Sequence, residues 1–178
     1  MSMATEKSTW GFFGILVLVM SALVLGSAVP VGAEILNYKF YSWMIKSERV
    51  PVGDVEGHAM SLVVRGAFMV FENGEVATFD AVITSDTIKG SGSFINYGTA
   101  KFSDGSTIIT KSQGTIGGTA TGSHTGVGWT SEIIKGTGIF EGIKGTLTSK
   151  TKYLPVEKGE IGPKGYGEGT ITYTLPPK

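Results

Sequence analysis

Cysteine is missing from all 178 residues. No disulfide can staple the fold and no lipidated cysteine can anchor it, so stability has to come from a core and a sheet. Histidine is nearly as scarce, with His58 and His124 alone. Neither has a His or Cys neighbour at metal-ligand spacing, and no metal site is expected. An excess of one charge is lacking too, since 15 basic residues face 15 acidic ones. Nucleic acid and anionic membrane surfaces call for a basic excess and are not expected partners. The glycine-rich run from Gly117 to Gly128 has no Gly-Lys-Ser/Thr ending, and no Gly-x-Ser-x-Gly elbow occurs. Nucleotide binding and hydrolase chemistry of that type therefore find no support, and no cofactor is expected.

What is present begins with a leader. Lys7 precedes an apolar run from Trp10 to Leu25, which Gly26 and Pro30 end, and Val31 and Ala33 stand at the −3 and −1 positions before Glu34. That order reads as a cleavable signal peptide over residues 1–33, in preference to a retained anchor, because the run falls short of the ~20 residues a spanning helix needs. The protein is accordingly expected in the periplasm or outside the cell, with no membrane contact after cleavage. Removing residues 1–33 from 178 leaves 145, one domain with room for a core.

Over residues 34–178 short apolar and Thr-rich runs alternate with turn signals. Leu36 to Lys46 reads as a first strand, with Ser47 to Asp54 as a loop broken by Pro51 and Gly53. Glu56 to Phe71 follows, interrupted by Gly66, where a bulge or tight coil is expected. Asn73-Gly74 and Asp104-Gly105 mark two hairpins. Trp129 to Phe140, Ile143 to Leu154 and Gly165 to Leu175 supply three later strands, and Pro155 to Lys164 reads as a loop. The run from Gly117 to Gly128 is either a lip or a thin, curved strand. Glycine fills 23 of the last 145 positions, well above an average near 7%. Glycine at that density favours a coiled barrel, where it relieves crowding at bends. Lys89-Gly90-x-Gly92-x-Phe94 is echoed by Lys135-Gly136-x-Gly138-x-Phe140, which suggests two strand-entry turns of one geometry.

The stretch Thr137-Gly138-Ile139-Phe140-Glu141-Gly142-x-x-Gly145 resembles the glycine turn of plant allene oxide cyclases and, more loosely, that of dirigent proteins. Val52-Gly53-Asp54 is similar to a segment before an early strand of the same superfamily. The resemblance implies an all-β, eight-stranded antiparallel closed barrel. It transfers no catalytic residue, since Tyr41-Ser42-Trp43-Met44 has no clear counterpart to the first-strand pattern of the cyclases.

Glu56 and His58 lie two apart and share a parity with Met60, Leu62 and Val64. If that parity faces inward, an acid and an imidazole meet near the barrel mouth, where a proton can be moved; the plainer reading is a strand end, with Glu56 solvated. Arg65, on the other parity, is expected to pair with Glu75 or Asp80 across the hairpin, in preference to binding a substrate carboxylate. Glu132 is expected to face outward and Glu141 to serve the glycine turn or face water. Tyr41, Trp43, Met60, Phe94 and Trp129 are candidates to line an apolar cavity, though aromatics can equally fill a core. Three functions follow. The first is an exported barrel binding a small apolar or amphipathic molecule. The second is a cofactor-free cyclase or isomerase working through Glu56 and His58, and the third is a structural barrel with a filled interior. A homo-oligomer is compatible with each.

Overall fold

The structure is a computed structural model and describes residues 32–117 and 127–177. The signal-peptide reading of residues 1–33 and the candidate His124 therefore fall almost wholly outside the described residues. Eight strands run in chain order: β1 (Glu34–Pro51), β2 (His58–Phe71), β3 (Val76–Ile88), β4 (Ser91–Phe102), β5 (Thr107–Ile116), β6 (Val127–Thr137), β7 (Lys144–Tyr153) and β8 (Gly165–Thr174). Each pairs antiparallel with the next, and β8 returns to β1 through Glu34↔Tyr173 to Ser42↔Gly165, which closes the barrel. Closure removes the sheet edge along β8 and along Glu34–Ser42 of β1.

Turn chemistry explains the connections. Gly74 and Gly105 take φ of 85° after Asn73 and Asp104, as the β2–β3 and β4–β5 hairpins require. Lys89 (φ 50°) and Gly90 (φ 83°) are both left-handed and join β3 to β4 in two residues. The second copy of the glycine echo differs. Lys135 and Gly136 are still in β6, and Gly138 opens a 3-10 turn over Gly138–Phe140. The two copies therefore do not share one geometry; what they share is a buried phenylalanine, Phe94 and Phe140.

Two irregularities sit where the sequence does not announce them. Pairing of β2 with β3 runs unbroken through Gly66↔Asp80, so Gly66 is not a bulge. The register shift lies across from it, on β1 between Met44 and Lys46. Gly66 instead makes room for Trp43, whose ring would lie 3.0 Å from a Cβ at that position. The expected loop from Ser47 also gives way, because β1 continues to Pro51 against Ala59.

Alternation then sorts the interior. The end holding the β2–β3, β4–β5 and β6–β7 connections, the floor, is filled by an apolar cluster that includes Phe71, Phe102, Ile108, Phe140 and Ile171. Phe71 and Phe102 stack at 5.3 Å and Phe102 meets Phe140 at 4.7 Å. The 3-10 turn is tied down as Ile139 N–H donates to Ser106 Oγ at 3.1 Å, while Ser106 Oγ donates to Asp104 at 2.7 Å. Burying each such side chain stabilises by about 1.5–3 kcal/mol. Toward the other end, the mouth, inward residues become smaller and more polar: Ser42, Arg65, Asn96, Ser112, Ser131 and Thr151.

Candidate functional site

Because the floor is filled and the mouth half is lined by small or polar side chains, the interior keeps a cavity of about 120 Å³. Its apolar wall comes from Phe40, Met69, Phe79, Ile83, Trp129 and Leu147, with Ala67 and Ala81 leaving the space that larger residues would occupy. Tyr38 closes it toward the floor. Its hydroxyl donates to the Thr148 carbonyl at 3.0 Å, and burial pushes its pKa far above the ordinary 10.0. That ring crosses Gly169, where a Cβ would come within 2.3 Å of the Tyr38 oxygen.

The polar wall centres on Arg65. Its inward position follows from the β2 register, in which Arg65 faces Met44 on one side and Ala81 on the other. Nη2 donates to Ser42 Oγ at 3.2 Å and to the Pro163 carbonyl at 2.9 Å, and the guanidinium carbon lies 5.4 Å from the centre of the Tyr153 ring. Pro163 belongs to the β7–β8 connection, so this loop is held against the cavity by the arginine. Burial lowers the Arg65 pKa from its usual 12.5, against a smaller opposing effect of Tyr153. Burial likewise raises Tyr153 from 10.0, and the neighbouring cation offsets this in part. Among the described residues no carboxylate pairs with Arg65. The expected partners Glu75 and Asp80 are both exposed, and Asp80 stands opposite Gly66 on the outer face. Nearby, Asn96 Nδ2 donates to Ser112 Oγ at 3.2 Å, and its Oδ1 is buried with no partner.

The candidates from sequence divide between the two faces of the wall. Trp129 lines the cavity, and Phe94 packs edge-on against it at 4.8 Å. Tyr41, Trp43 and Met60 point outward, with 42%, 38% and 55% of their surface exposed. They do not line the cavity, and the reason is parity. Ala59, Ala67, Met69 and Phe71 carry the buried side chains of β2, with Gly66 buried under Trp43, so the odd positions face inward and His58, Met60 and Phe68 face out.

The Glu56 and His58 pair is separated by the same fact. Glu56 lies in the β1–β2 connection with its side chain 93% exposed, its carboxylate 3.9 Å from Lys89 Nζ. His58 opens β2 and sits between two carboxylates. Its Nδ1 is 2.5 Å from Asp54 Oδ1 and its Nε2 is 2.7 Å from Asp86 Oδ1. Those hydrogen bonds, to Asp86 first and Asp54 second, raise the His58 pKa above 6.5, and His58 in turn lowers Asp54 below 3.8. The group ties the β1–β2 connection to the end of β3, helped by Lys89 N–H donating to the Gly57 carbonyl at 3.0 Å. Neither residue lines the interior cavity. No acidic side chain does either, so the interior offers a cation and hydroxyls but no carboxylate base. Glu132 and Glu141 are exposed, in keeping with the outward placement expected of them. Among the described residues no three His, Asp or Glu side chains gather as metal ligands.

At the level of fold, the chain resembles dirigent proteins. A pterocarpan synthase dirigent protein superposes with a TM-score of 0.48 at 16% identity, over 79% of this chain and 88% of that one. A second pterocarpan synthase dirigent protein gives 0.46 at 16% identity, over 81% and 97%. A pyocyanin demethylase gives 0.45 at 15% identity, over 80% and 99%. No protein-family model matches the chain, and no curated protein matches it in sequence. These likenesses concern the barrel alone, and its site has to be read from its own residues.

Sequence reasoning gave Arg65 an ion pair in preference to a substrate carboxylate, and missed Ser42, Asn96 and Tyr153 as cavity residues. One signal for the first was present. Met69 and Phe71 share its parity and run into the Asn73-Gly74 hairpin, the end where a barrel core is continuous. Counting back from Phe71 by twos reaches Arg65.

Proposed function

We propose that this barrel is exported and binds a small amphipathic molecule in its interior. The observation that carries the reading is the unequal filling of the barrel: large apolar side chains occupy the floor, while alanine, serine and threonine leave about 120 Å³ open in the mouth half. A dry cavity of roughly 150 Å³ lined by aliphatic and aromatic groups accepts a benzene ring, so one ring or a short chain matches this space and a long acyl tail does not. The aromatic lining suits a flat apolar body, and the hydroxyls and guanidinium on one wall suit a polar end. Export rests on the leader, and N-terminal sequencing of the protein from cell fractions checks it; a mature chain still starting at Met1 overturns that part.

Calorimetric titration of the full chain with indole, a neutral single-molecule probe of ring size, tests the cavity. Binding is expected for the natural sequence and its loss for Ala81→Leu, which fills the space from β3. If indole binds neither, or binds both equally, the interior is not the site.

A further inference from the structure

We infer that the polar end of the ligand is a singly charged carboxylate, held at Arg65. This deepens the interior-binding reading and rests on it. A guanidinium presents five N–H donors. Two of them, on Nη2, are spent on Ser42 and Pro163. The three on Nε and Nη1 have no acceptor among the described residues, and no carboxylate lies within ion-pair distance of the group. A half-buried cation without a counter-ion is costly, and a conformation that keeps it there gains most from an anion that arrives with the ligand.

The surroundings narrow the class. Among the described residues the lining holds one cation and no other charged side chain, so one negative charge is neutralised and a second is not. That favours a carboxylate over a phosphate monoester. Tyr153, its ring centre 5.4 Å from the guanidinium carbon, helps to hold the cation in place. The whole describes a ring-sized monocarboxylic acid, with its ring among Phe40, Phe79 and Trp129.

Calorimetry of the full chain with phenylacetate, phenylacetamide and phenethylamine tests the assignment, since the three share a ring and differ in charge. Phenylacetate is expected to bind about tenfold or more tighter than the amide, the scale of a hydrogen bond to a charged group. The cationic amine is expected to bind weakest. Arg65→Gln should bring phenylacetate down to the affinity of the amide and leave the amide unchanged. If that variant does not fold, the order of the three probes on the natural chain still decides. Equal affinity for acid and amide, or tighter binding of the amine, overturns the carboxylate assignment while leaving an interior site for neutral rings. No binding of any of the three, or of indole, overturns both.

Discussion

The floor and the mouth of this barrel are built from the same strands, yet they solve opposite problems. At the floor, Phe71, Phe102, Phe140, Ile108 and Ile171 interdigitate, and Ile108 and Ile171 are completely buried. At the mouth the same eight strands present Ser42, Arg65, Asn96, Ser131 and Thr151, and the interior stays open. Stability is concentrated where side chains are large and apolar. Where they are small or polar the barrel gives up packing and keeps a cavity.

The strongest way to break this contrast is to remove floor volume. Ile108→Ala is expected to cost about 2–5 kcal/mol, read as a lower midpoint in chemical denaturation; a loss below 1 kcal/mol would mean that the floor is not the stabilising half. Gly136→Ala probes the same end by overfilling it. A Cβ there would lie 2.1 Å from the Phe140 carbonyl oxygen, which is backbone and cannot swing away. A loss of about 1–3 kcal/mol or more is expected from such forced packing.

At the mouth the expectation reverses. Arg65→Met keeps the length and removes an unpaired, half-buried charge, so stability should change by less than about 1 kcal/mol in either direction, while phenylacetate falls to the affinity of its amide. A large destabilisation by denaturation would make Arg65 a structural residue and erase the contrast.

A smaller effect concerns the outer end of the hairpins. His58 has a folded pKa above 6.5, so the folded state holds its proton more tightly than the unfolded chain. The stability it contributes is complete below pH 6.5 and fades as pH rises through its raised value. Asp54, lowered from 3.8, contributes above that pH and loses its contribution as pH falls through its own folded value. Denaturation midpoints should therefore drop above pH 6.5 in the natural protein, and His58→Gln should flatten that part of the profile. The smallest effect belongs to Glu56→Gln. With its side chain 93% exposed, it should leave stability within about 0.5 kcal/mol and indole binding untouched, as titration of the variant would show.

Much of the barrel was legible because it depends on local chemistry. Asn73-Gly74 and Asp104-Gly105 are hairpins for reasons contained in two residues, and the alternating runs between them are strands. The glycine turn from Thr137 to Gly145 could be matched to a barrel, although its echo at Lys89 proved to be a different turn. The site was less legible. In β2, Leu62, Val63 and Val64 are all apolar, and Met60 and Phe68 oppose Ala59 and Met69 in size, so neither parity is plainly the core. Choosing the parity of His58 put Glu56 and Met60 inside and Arg65 outside, the reverse of the fold. Tyr41 and Trp43 are illegible for a related reason, since a large aromatic suits a cavity wall, a core or, as Trp43 does over Gly66, the outer surface.

By itself, then, the amino-acid order determined the strands, the tight turns that permit positive φ, and the lack of any thiol, all of which rest on residues close in the chain or on composition. Only the tertiary structure decided which face of each strand is interior. A strand repeats every two residues, and a two-faced apolar strand can be turned over without breaking any local rule. What fixes it is the register with its neighbours around a closed sheet, and in this protein that register carries Arg65 into the cavity and leaves His58 on the rim.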